Sequence, residues 1–186
     1  QETIDVLREA QIDFVTIPDG FSAEAVQIKI EAVAKALGVE DKGKELADKT
    51  LSSIKAAALD ATREDRKRVI FILSTRGGRI LASGTNTAAD GIILLAGATN
   101  VISDFEGYKP LTDEAVLAAA PDVILIMDRG GNHSVADDEL LAMPSIAGTP
   151  AAETRSILRM NGLLLLGFGP RTGEAITALN KALYGA

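Results

Sequence analysis

Residues 112–131 read TDEAVLAAAPDVILIMDRGG. Thr112 is a good helix N-cap, Asp113 and Glu114 suit a first helical turn, and the alanine-rich run to Ala120 favours helix until Pro121. Val123–Met127 is then an unbroken apolar run between two aspartates, the pattern of a strand buried on both faces. A helix, a buried strand and a Gly-rich loop in that order make one step of an α/β layer.

The same alternation extends on either side. Upstream, Val69–Leu73 reads as a buried strand, Ile80–Ala82 as a shorter one, Thr87–Ala96 as a helix stopped by Gly97, and Val101–Ser103 as a short extended piece. Downstream, the pattern predicts a helix over Val135–Ala142, paired strands Ser156–Met160 and Leu163–Leu166 turned by Asn161-Gly162, and a last helix over Thr172–Leu183. The implied fold class is α/β: a Rossmann-like lobe over residues 68–186 with a mostly parallel sheet and an antiparallel addition.

Residues 21–67 are helical. Ser22 caps a helix whose apolar positions Val26, Ile30, Val33, Ala34 and Leu37 run to the Gly38 stop. A longer helix follows from about Asp41 to Thr62, with Leu46, Ala47, Leu51, Ile54, Ala58 and Leu59 as its apolar stripe. Residues 1–20 read as one helix, Thr3–Ala10, and one buried strand ending at Pro18, Asp19 and Gly20.

Composition narrows the function. The 186 residues are 47% hydrophobic, enough for a sizeable core, yet no apolar run approaches the ~20 residues of a membrane span. A net charge of −7 with no basic stripe, and only 4% aromatic residues, argue against nucleic acid. The absence of cysteine excludes disulfides and thiolate metal sites. One histidine and no cysteine leave little for a nucleophilic triad, so an enzyme is disfavoured.

Ligands of open α/β sheets gather beyond the C-terminal ends of the parallel strands. The loop after Leu73 carries Arg76 and Arg79, which suit an anion or equally a solvated turn. The loop after Met127 holds Arg129, Gly130, Gly131, Asn132 and His133, the sole histidine. An imidazole there suits haem iron, and glycines beside it let a flat macrocycle approach; alone, a loop histidine is also an ordinary surface residue. The loop after Leu166, Gly167–Gly173, contains Arg171 and fits a dinucleotide fingerprint badly, because Pro170 removes a donor and no βαβ unit follows.

The runs SAEAVQIKIEAVAKALGVEDKGKELADK (22–49), GTNTAADGIILLAGATN (84–100), FEGYKPLTDEAVLAAAPDVILIMDRGG (105–131) and LLAMPSIAGTPAAETRSILRMNGLLLLGFGPRTGEAITALNKALYG (140–185) resemble the haem-binding substrate-binding proteins of bacterial ABC importers. That resemblance implies two α/β lobes joined by a rigid helix. Residues 1–20 would then be a remnant of an N-terminal lobe, 21–67 would hold the connecting helix and 68–186 would be the C-terminal lobe. It further implies a periplasmic location, haem as the transported ligand and permease subunits as partners. His133 becomes the candidate iron ligand, with Arg76, Arg79, Arg129, Asn132 and Arg171 as candidate ligand-binding residues and Glu114 as the permease-docking carboxylate. Neither Tyr108 nor Tyr184 stands where the family's N-lobe iron ligand does. An incomplete N-lobe would expose apolar surface, and a dimer is one way to cover it. A siderophore or cobalamin receptor of the same fold, a folded lobe without ligand, and an α/β enzyme are the alternatives.

Overall fold

The computed structural model describes residues 2–59, 65–128 and 135–185. Helix α1 (Glu2–Glu9) is followed by an extended segment without strand pairing, where a buried strand was expected. Ile12 and Val15 there are 54% and 63% exposed, since no neighbouring strand among the described residues completes their pairing.

Ser22 caps α2 (Ala23–Ala36) by accepting from the Ala25 N–H, and α3 (Glu40–Leu59) packs back along it. The buried stripe of α3 is Gly43, Ala47, Thr50 and Ile54, rotated from the one expected, so Leu46 is 42% exposed. On α2, Val26, Ile30 and Ala34 are buried, whereas Val33 and Leu37 face outward.

The sheet has six strands: β1 (Arg68–Ser74), β2 (Leu81–Ser83), β3 (Thr99–Asn100), β4 (Tyr108–Pro110), β5 (Val123–Asp128) and β6 (Ile157–Asn161). Its order is β4-β2-β1-β5-β6, with β3 beside the start of β1. β1, β3, β5 and β6 are parallel; β2 and β4 form the antiparallel edge. The register Val69–Val123, Ile70–Ile124, Phe71–Leu125, Ile72–Ile126 places alternate side chains on opposite faces.

Each face buries its own core. Val69, Phe71, Val123 and Leu125 pack under α2, α3, α4 (Ala88–Leu95), α9 (Gly162–Leu166) and α10 (Thr172–Tyr184). Ile70, Ile72, Ile124 and Ile126 pack under α5 (Asp113–Ala119), α6 (Asp137–Leu141), α7 (Pro144–Ala147) and α8 (Pro150–Glu153). The short helices α7 and α8, each opened by a proline, were not anticipated from the sequence.

One prediction fails outright. Asn161-Gly162 is not a hairpin turn: β6 ends at Asn161, whose side chain accepts from the Leu164 N–H at 3.1 Å and caps α9. Asn-Gly is a turn signal only when both flanks pair as strands, and Leu164, Leu165 and Leu166 instead pack inward against the first core. α9 therefore carries the chain off the sheet at the C-terminal end of β6.

A candidate ligand-binding rim

The parallel strands β1, β5 and β6 end together, and the segments leaving them form one rim. At β1, the chain enters a single 3-10 turn, Arg76–Gly78, in which Gly77 and Gly78 have φ of +68° and +74°. Left-handed backbone at two successive positions selects glycine. Arg79, after this turn, is exposed, while the side chain of Arg76 lies outside the described residues.

The Leu111 N–H donates to the Ile80 carbonyl at 2.9 Å, which brings the start of α5 onto the same rim. Thr112 caps α5 by accepting from the Ala115 N–H at 3.2 Å. Glu114 follows, fully exposed. Its own backbone N–H, then the Thr112 hydroxyl, donate to its carboxylate and hold its pKa below the ordinary range.

The central exit is from β5, whose last residue, Asp128, lies in register with Asn161 on β6. Arg129, Asn132 and His133, all proposed from the sequence as ligand-binding, lie outside the described residues. Both flanks of that segment are tied to β6. On the far side, Arg159 donates from Nε and Nη2 to Asp137 Oδ1, at 2.9 and 2.6 Å, and from Nη2 to the Val135 carbonyl at 2.7 Å.

At β6, α9 and the turn after it line a groove of about 360 Å³ with Leu163, Leu164, Phe168, Pro170 and Arg171. Arg171 is exposed. The hairpin reading concealed Leu163, which is 81% exposed on the first turn of α9 rather than paired in a strand. An Asn that caps a helix at a strand end was the available signal.

A periplasmic binding protein family model matches residues 1–162. The chain belongs to the periplasmic binding protein family. Members of this family are substrate-binding proteins that serve ABC transporters rather than enzymes. Among solved structures of periplasmic binding proteins, the chain is similar to periplasmic heme-binding protein BhuT in complex with two hemes. The TM-score is 0.90 and the identity 39%, over 98% of this chain and 70% of that one. For periplasmic heme-binding protein RhuT from Roseiflexus sp. RS-1 in apo form the TM-score is 0.90 at 38% identity, over 99% of this chain and 71% of that one. For the periplasmic heme-binding protein HutB of Vibrio cholerae it is 0.83 at 28% identity, over 99% and 73%. A curated relative, the uncharacterized ABC transporter substrate-binding lipoprotein YvrC of Bacillus subtilis (strain 168), is 25% identical over 185 residues. This chain spans 57% of that relative's length. The α/β class and the mostly parallel sheet expected from the sequence agree with this periplasmic binding protein fold. The expectation of a dimer finds no support in these similarities.

Proposed function

We propose that this chain is the ligand-receiving part of an extracytoplasmic haem receptor that hands haem to the permease of an ABC importer. The reading is carried by the likeness, over 98% or more of the chain, to structures described as heme-binding proteins at up to 39% identity. Residues 68–186 serve as the C-terminal lobe, residues 21–67 contain the connecting helix, and residues 1–20 belong to the other lobe. The rim supports this reading because its exits suit a flat, partly anionic ligand. The segment with His133 leaves the middle of the rim, and Arg79 and Arg171 are exposed on either side of it.

In this scheme His133 offers an imidazole nitrogen to the iron, while Arg76, Arg79, Arg129, Asn132 and Arg171 face the propionates and ring edge. Glu114, an exposed carboxylate on the same rim, meets basic residues of the permease. Packing of α3 against both α2 and α10 makes the connector stiff.

A haemin titration of the purified chain, followed at the Soret band, tests the reading. A saturable shift that His133→Ala weakens or alters in wavelength is the expected result. No saturable shift in the parent chain refutes haem binding by this part of the receptor, and an identical shift in His133→Ala removes His133 from the site.

A further inference from the structure

At the opposite end of the sheet from the rim, a pocket of about 410 Å³ opens where the parallel strands begin. Lys67, Asp122 and Ser156, the residues just before β1, β5 and β6, all line it. So do Thr154 and Arg155, which leave α8, and Leu183 near the end of α10. β5 is six residues long, which puts the pocket roughly 17 Å from the rim.

Arg155 is an unexpected residue at its position. The Arg155 N–H donates to the Ala152 carbonyl at 3.2 Å and the Ser156 N–H to the Ala151 carbonyl at 2.9 Å. This paired closure of a helix end puts the residue between them in the left-handed region, where glycine is preferred, and Arg155 has φ +53°. Its ion pair with Asp138 does not explain the arginine, because the two side chains are 63% and 86% exposed and such a pair contributes little. A strained cation at the wall of a pocket points instead to something the pocket holds.

The second cation is Lys67. Its backbone N–H donates to the Tyr184 hydroxyl at 3.2 Å, and that hydroxyl donates to the Gly97 carbonyl at 2.9 Å, so the chain before β1 is tied to the end of α10. Among the described residues no carboxylate pairs with the Lys67 ammonium. Asp122 also lines the pocket, but one of its oxygens is engaged by the Arg68 N–H at 2.9 Å. Two cations and one carboxylate leave the lining net positive in a chain of net charge −7. The remaining wall is apolar, with Ile157, Leu158 and Leu183 among its residues.

A volume near the lower end for small-molecule sites calls for a compact ligand. The apolar wall disfavours a bare inorganic anion, which would gain nothing from it, and a polyhydroxylated one, whose polar groups it would strand. We infer that this pocket is a second ligand site, for a compact carboxylate with a short apolar body, the carboxylate between Lys67 and Arg155 and the body against Ile157, Leu158 and Leu183. The site is separate from the rim and does not rest on the haem reading.

4-Methylpentanoate is a suitable probe, titrated into the parent chain while the backbone amides of Ser156, Ile157 and Leu158 are followed by NMR. Saturable shifts with a Kd on the order of 1 mM are expected, with its methyl ester and inorganic phosphate each about tenfold weaker. Lys67→Gln and Arg155→Gly should each weaken binding about tenfold, and Asp138→Asn should bind at least as well as the parent. Arg155→Gly also separates binding from folding: glycine relieves the left-handed residue, so the unliganded variant should unfold at the parent's temperature or above it. An Arg155→Gly protein that loses stability and keeps parental affinity makes Arg155 a structural part and overturns the assignment. So does a parent without saturable shifts, or one that takes phosphate as well as the carboxylate.

Discussion

The seam between α2 and α3 rests on one missing methyl group, and exchanging it between the helices tests how the two are fixed together. Gly43 is buried, and a Cβ added there would stand 2.0 Å from Ala34 Cβ. Ordinary carbon contacts need roughly 3.5 Å or more, so Gly43→Ala forces the helices apart or bends one of them. Overpacking of that kind costs about 1–3 kcal/mol, partly offset by about 1 kcal/mol of better helix propensity, for a net loss near 1–2 kcal/mol. Ala34→Gly removes a methyl that is 6% exposed and weakens α2, together costing about 1.5–2 kcal/mol. In the double variant the methyl has merely crossed the seam. The clash disappears, the propensity terms cancel, and stability should return to within about 0.5 kcal/mol of the parent, a favourable coupling of about 2–3 kcal/mol. Urea unfolding of the four proteins by circular dichroism measures it. Additive losses, with the double variant the least stable, would refute this account of the seam.

Two further outcomes follow from polar contacts. Asn100 bridges the end of β2 to α4: its Nδ2 donates to Asp90 Oδ1 at 2.9 Å and to the Gly84 carbonyl at 3.3 Å, and its Oδ1 accepts from the Ile102 N–H at 3.2 Å. Asn100→Ala strands buried polar groups, including a carboxylate oxygen, and should cost about 3 kcal/mol in the same unfolding assay; a loss under about 1 kcal/mol contradicts the bridge. Glu114 titrates below the ordinary carboxylate range because its own N–H and the Thr112 hydroxyl donate to the ionised form. Any contribution of this carboxylate to folding is present above its ordinary pKa and fades as pH falls through the lower folded value. An NMR pH titration should show Thr112→Val moving its midpoint upward; an unmoved midpoint excludes the hydroxyl as a cause.

Most of the sheet and its helices were legible in the sequence, since β1, β5 and the helices α4, α5 and α10 combine strong periodicity with N-caps or breakers that their neighbours respect. What misled was local pattern divorced from partner. The apolar residues Ile12, Phe14, Val15 and Ile17 have strand composition, but a strand exists only where another supplies its hydrogen bonds. Asn161-Gly162 has hairpin composition, but Leu164, Leu165 and Leu166 gain more by entering the core beneath α10 than by pairing back along β6. α7 and α8 are too short for periodicity to register. The candidate site was legible as an address, the loops past the strand ends. Of its sequence-assigned residues, Arg79 and Arg171 are exposed on the rim and Glu114 joins them, whereas Leu163 emerged only once α9 was seen to be a helix.

The rim's rigidity bears on how the proposed receptor works. β5 and β6 are paired through to Asp128 and Asn161, β1 pairs with β5 as far as Ile72, and Arg159 straps the flank of the segment carrying His133 to β6 through three hydrogen bonds. Phe168 pins the groove turn by burying its ring, and α3 is wedged against α2 through Gly43 and Ala34. On the reading proposed above, a rim built this way spends little conformational entropy when its ligand arrives. On that reading, loading is signalled to the permease with little reshaping of the rim. Recognition would then depend on what the ligand adds to the rim, and Glu114, held ionised at the edge of that surface, is placed to be read together with it.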